Sequence, residues 1–140
     1  MKERKINLNP PSKKGISIKA LEKLLTKWQK KLGMQDWALD IKIVDFERKD
    51  FRQSGDFVAD IKKRKATIYL TWNPFRDEEY TLVHEIIHVL VYSFDSYVES
   101  LILEKHKEGG KEHRKYLNQL EDLVHHMTFS FLGRRELNLF

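Results

Sequence analysis

The residues with the most chemistry in them are His84-Glu85-Ile86-Ile87-His88. If this segment is helical, side chains four positions apart lie above one another on one face. Two imidazoles so placed can reach a single metal ion, at Zn–N distances of about 2.0–2.1 Å. Glu85 is turned roughly 100° around the axis from His84, so it flanks the open coordination position instead of serving as a third ligand. A carboxylate there can take a proton from zinc-bound water, whose pKa falls to about 7 in the best cases. That is the chemistry of hydrolysis, and it makes the spacing readable as a site. The neighbours support the reading. Leu82, Val83, Ile86, Ile87, Val89, Leu90 and Val91 make the helix apolar nearly all round, which predicts burial. Two imidazoles and a carboxylate are costly in a core unless something satisfies them, and a metal does so.

A catalytic zinc usually has three protein ligands and one open position. The chain has no cysteine, so disulfides, thiol nucleophiles and Cys-based zinc sites are excluded, and His and carboxylates must hold any ion. The last helical segment is expected to supply the third ligand. Glu121 falls on the stripe of Leu117, Leu120, Val124 and Thr128. His113 competes with it but lies about 12 Å earlier along a helix, too far for both to bind one ion. His125, one turn beyond Glu121, is either the ligand itself or a partner that orients one. His106 and His126 read as loop and surface residues.

These side chains need elements to position them. Ile18, Leu21, Leu24, Leu25, Trp28 and Leu32 recur at helical spacing, with Ser17 able to cap the start and Gly33 to end it. Trp37, Leu39, Ile41 and Ile43 alternate with Ala38, Asp40, Lys42 and Val44, as a strand does. Ser54-Gly55 opens a second alternating run over Phe57, Ala59 and Ile61, and a third holds Ala66, Ile68 and Leu70, stopped by Asn73-Pro74. A second helix begins at Asp77-Glu78-Glu79, acids favourably placed at its positive end. It runs through Leu90 toward Tyr97, and a polar loop follows at Glu104 to Gly110. A last helix covers Lys111 to Phe131. Residues 1–15, with Asn9-Pro10-Pro11-Ser12, read as an N-terminal arm, and 16–140 as a single domain. The order predicts an α+β fold: a three-stranded antiparallel sheet packed on about three helices.

The segment His84 to His88, preceded by the strand Ala66-Thr67-Ile68-Tyr69-Leu70 and an acidic helix start, resembles the small zincin metallopeptidases. Leu32-Gly33-Met34-Gln35-Asp36-Trp37 before a strand resembles small phage-encoded metallopeptidases of that kind. Leu120-Glu121-Asp122-Leu123-Val124 is similar to the gluzincin arrangement, in which the last helix carries a Glu among apolar residues. The resemblance spans residues 17 to 132. It implies a zincin-like minimal metallopeptidase fold, with Zn2+ held by His84, His88 and Glu121 and with Glu85 as general base. It also implies a peptide or protein substrate that pairs with an edge strand, the run Gly55 to Ile61, through backbone hydrogen bonds. SprT-like proteases are the rival within the same fold. Glu112-His113-Arg114-Lys115-Tyr116 resembles the segment that carries their third His, but Arg114 stands where a Gly usually follows. That reading would imply a protease acting on nucleic-acid-associated proteins.

A zinc-binding structural or regulatory module without turnover is the reading from another class. Glu85 speaks against it, because a structural site needs no base and prefers four protein ligands. The net charge of +5 and pI of about 9.3 invite a nucleic-acid partner. However, the Lys and Arg are scattered among 21 acidic residues, and the densest cluster, Lys62-Lys63-Arg64-Lys65, falls at a hairpin turn. A solvated basic surface is the simpler account. The longest apolar stretch, around Ile86 to Val91, carries His88 and is too short to span a bilayer, and the charged N-terminus has no apolar run after it. The expectation is no membrane partner and a cytoplasmic protein of a bacterium or phage-infected host.

Overall fold

The computed structural model describes residues 17–44, 55–71 and 78–134. The N-terminal arm, Ser54, Trp72, Asn73-Pro74 and Asp77 lie outside the described residues. The chain divides into two compact units, Met1–Ile86 and Ile87–Phe140, and the division falls inside one continuous helix.

The first unit opens with α1, Ile18–Lys31. Its start is fixed by Ser17, whose hydroxyl accepts the N–H of Ala20 at 3.2 Å and so satisfies one of the helix's orphan donors. The apolar spacing buries Leu21, Leu25 and Trp28. Gly33 follows the last turn at φ 68°, where a side chain would be strained. The chain then turns into β1, Ala38–Val44, and the Gln29 amide braces that turn by donating to the carbonyls of Met34 (2.9 Å) and Trp37 (2.6 Å).

Strands β2, Gly55–Asp60, and β3, Lys65–Thr71, form a hairpin. Its turn is the basic segment foreseen in the sequence: 61–65 are all exposed, and Arg64 takes φ 51°. The Asp60 carboxylate accepts the N–H of Lys63 at 3.1 Å and tightens the turn, while the Arg64 guanidinium pairs with Asp36.

The α+β expectation holds, but the sheet is mixed, not antiparallel. Its order is β1-β3-β2, with β1 parallel to β3 (Ile41 opposite Ile68) and β2 antiparallel to it (Phe57 opposite Ile68). Alternation identifies the buried face of a strand and carries no information on direction or order. Burial explains the outcome. Ala66, Ile68 and Leu70 of β3 are all buried, whereas no residue of β2 is. The strand with the most apolar face takes the centre, where both its edges are hydrogen-bonded. β2, with Gly55, Asp56 and Asp60, takes an edge, which tolerates such residues.

Helix α2, Glu78–Lys105, starts with Glu78 and Glu79 in its first turn. Glu79 does more than complement the helix dipole: it accepts the indole N–H of buried Trp28 at 2.6 Å and pairs with Lys27 at 3.3 Å, tying α1 to this end of α2. Tyr80, Thr81, Leu82, Val83, Glu85 and Ile86 are buried.

In the second unit α2 continues from Ile87 and is followed, after a loop at 106–110, by α3, Lys111–Leu132. Gly133, at φ 69°, ends α3. Val124 and Thr128 are buried, as the stripe predicts, and so is Phe129 beside it, but Leu117 at the stripe's start is exposed. Leu90, Phe94, Tyr97 and Leu101 of α2 are exposed too. By length and composition α2 is the one helix among the described residues that could cross a membrane. The stretch Ile86 to Val91, which His88 interrupts, understates this, because a helix reaches that threshold without being continuously apolar.

Candidate metal centre

His84 and His88 occupy successive turns of one face of α2, which runs unbroken through both. Within the second unit, His88 Nε2 lies 3.2 Å from Glu121 Oε2 of α3. One ligand atom from each of His84, His88 and Glu121 falls within 4.8 Å of the other two. Two imidazole nitrogens and a carboxylate oxygen form a donor set suited to zinc. In a tetrahedral site with bonds of about 2.0–2.1 Å, neighbouring ligand atoms stand about 3.3–3.4 Å apart. The His88–Glu121 separation of 3.2 Å is close to that edge, and the His84 ligand atom lies within 4.8 Å of both. These three residues could hold a metal ion.

Burial is graded across the group. The His88 side chain is 11% exposed and that of Glu121 57%. Glu121 therefore sits at the margin of its apolar stripe, not in it, and the sequence argument that a core-facing acid needs a metal does not apply to it. Its place opposite His88 is what singles it out. The His84 ring is flanked by buried Tyr80, with centroids 5.7 Å apart.

No protein-family profile, curated protein or solved structure matches this chain. The site's own geometry must therefore carry the functional argument.

Glu85 is only 7% exposed and is not among the three grouped residues. It shares its face of α2 with Thr81, one turn earlier, and this face meets the start of β2. A Cβ placed on Gly55 would stand 2.9 Å from Glu85 Cγ, 3.0 Å from its Oε2 and 3.0 Å from Thr81 Cγ2. The start of the edge strand thus lies directly against the Glu85 side chain. The sequence offered one signal of this approach, a lone glycine in a strand pattern.

The other candidate ligands are engaged elsewhere. His113 is buried. The N–H of Gly109 donates to its Nδ1 at 2.9 Å, so the ring proton resides on Nε2, which donates to Glu99 at 2.7 Å. Both ring nitrogens are used in joining α3 to the loop and to α2. His125 packs edge-on against Phe129, with centroids 4.8 Å apart, and is not in the group of three. His106 and His126 are exposed.

Near the site on α2, Tyr97 is exposed and Tyr92 is half-buried. Tyr116 donates its hydroxyl to Asp95 Oδ1 at 2.7 Å. Burial, followed by the Asp95 hydrogen bond and charge, pushes the Tyr116 phenol well above its ordinary range. The acids Asp95 and Glu99 of α2 are thus structural partners for α3, a role that the sequence pattern did not disclose.

Proposed function

We propose that this chain is a zinc-dependent hydrolase, most concretely a metallopeptidase of the minimal zincin type. The observation that carries the reading is the grouping of His84, His88 and Glu121 with Glu85 beside it on the same helix and outside the ligand set. A site built only to hold zinc would be closed by a fourth protein ligand. Here three residues gather and a buried carboxylate is kept apart, as turnover requires.

Bound zinc would supply Lewis-acid polarisation of a carbonyl and of the attacking water. The protein's own residues do the rest. His84 and His88 present neutral imidazole nitrogens, fixed by the helix one turn apart. Glu121 adds a negative charge from α3. Glu85 accepts a proton from water as its oxygen attacks the peptide carbon, then returns it to the departing amine nitrogen, so that one water is consumed per bond cleaved. The strand β2, at one end of the sheet order, offers an extended peptide a strand to pair with. The SprT-like alternative would need His113 as a ligand, and its two nitrogens are already committed to Gly109 and Glu99.

The test has two parts. Purified protein should contain about one zinc per chain, and replacing His84 and His88 together by Ala should abolish it. Retention of a full equivalent in that variant overturns the assignment. Chelator-sensitive cleavage of an unstructured protein or peptide library should accompany the metal. Zinc without any cleavage would instead support the non-catalytic module.

A further inference from the structure

We propose that Gly55 is a positioning residue for Glu85, and that the side chain missing at the start of β2 is the space that sets where the carboxylate stands. This inference rests on Glu85 being the general base. Three observations carry it. Gly55 is not among the glycines with positive φ, Gly33, Gly109 and Gly133, so its backbone is open to any residue and does not account for the glycine. It is paired in the ladder opposite Leu70 of the central strand, so its position is held by the sheet. The third is space: an added Cβ would come within 2.9–3.0 Å of three atoms at once, Glu85 Cγ and Oε2 and Thr81 Cγ2. Cγ is not the free end of a flexible chain, and both residues are more than nine-tenths buried, so neither can swing into solvent.

Thr81 and Glu85 stand four apart on α2, and with His84 and His88 they share one broad face of the helix. Gly55 bears on the edge of that face that carries the base: the near contacts of an added Cβ are with Glu85 and Thr81, not with a ligand. A methyl group there leaves two responses. Either Glu85 turns toward the histidines or β2 lifts away from α2. Each changes the distance between the carboxylate and the edge strand, where the scissile bond would lie. A displacement near 1 Å at reacting groups can cost about 100-fold in rate.

The experiment compares Gly55→Ala, Glu85→Gln and the double variant, each loaded with cobalt(II) as a spectroscopic substitute for zinc. Metal affinity, the cobalt visible absorption and kcat are read. Gly55→Ala should bind cobalt within about twofold of the parent, because no ligand is disturbed. Its absorption should move in the same sense as that of Glu85→Gln, and kcat should fall by about 100-fold with little change in KM. Added to Glu85→Gln, it should do nothing more, since the group it positions is already gone. If Glu85→Gln shifts the spectrum and Gly55→Ala leaves both spectrum and kcat at the parent values, the proposal is wrong and the base assignment survives. If Glu85→Gln itself changes neither, the base assignment fails and the proposal falls with it. Should Gly55→Ala not fold, the measurement moves to Gly55→Ala with Thr81→Ser. Removal of the threonine methyl relieves one of the three contacts and leaves the two with Glu85.

Discussion

The sharpest contrast available is between Glu121 and His113, because the structure predicts opposite outcomes for them in two assays. Glu121 faces His88 at 3.2 Å but is 57% exposed. Its ion pair is largely solvated, so Glu121→Ala should change the stability of the metal-free protein by at most about 1 kcal/mol. As a ligand, however, its loss should exceed the 10–100-fold in zinc affinity typical of an orienting partner, that is, more than about 2.7 kcal/mol. His113 is the reverse. It is buried and makes hydrogen bonds of 2.9 and 2.7 Å to Gly109 and Glu99. His113→Ala removes both bonds, but Gly109 is exposed and Glu99 has its side chain 37% exposed, so each can turn to water. The two lost hydrogen bonds plus the lost ring packing cost about 2 kcal/mol, a fall of several degrees in Tm at this chain length. Zinc competition against a chromophoric chelator, paired with thermal melts in EDTA, reads both quantities. The reasoning is refuted if His113→Ala strips the metal while Glu121→Ala holds it at parent affinity; the SprT-like account would then be the better one.

Four further outcomes follow from the same geometry. Glu85→Gln should keep a full zinc equivalent by elemental analysis and lose turnover; cleavage at the parent rate would remove Glu85 from the mechanism. Zinc should leave on acidification with uptake of protons, because the imidazoles bind only when neutral; retention that is flat with pH in a chelator titration would argue against histidine ligation. The Tyr116 phenol is held above its ordinary range by burial and Asp95, so its stabilisation is fully present below the unfolded value of about 10 and is lost as pH rises beyond it. Tyr116→Phe should therefore lower Tm at neutral pH by the equivalent of about 1 kcal/mol, and the gap from the parent should close in strong alkali. Glu79→Ala strands the buried Trp28 indole N–H and should cost about 1–3 kcal/mol in urea unfolding; an unchanged midpoint would mean that the indole finds another acceptor.

How far the fold could be read depends on what kind of information each feature leaves in the chain. Local features leave it in adjacent residues. Ser17 caps α1 as a hydroxyl before an apolar-periodic run should, Gly33 follows its last turn, and the basic segment before Lys65 forms the hairpin turn. Strand order leaves no such trace. β1 could pair with β2 or β3 with the same face buried, and only the competition for the central position decided it. For that reason the antiparallel expectation failed while every strand was found where its alternation put it.

The candidate site divides along the same line. His84, Glu85 and His88 share one helix, so a periodicity of 3.6 is enough to place two on one face and the third beside them. Glu121 is 33 positions beyond His88, and its pairing depends on how α3 lies along the second half of α2. The sequence argument chose Glu121 for its place on an apolar stripe, yet its carboxylate is more exposed than that stripe implied. What fixes the helix pair is a second set of contacts, Asp95 with Tyr116 and Glu99 with His113. On α2, His88, Asp95 and Glu99 are seven and four residues apart, one continuous face. On α3, Glu121, Tyr116 and His113 are taken in the reverse order, as an antiparallel partner must be. The three pairs form a ladder along the two helices, and each polar rung favours the register in which its partners meet. The histidine first weighed as a rival ligand is thus one rung of the device that brings Glu121 level with His88.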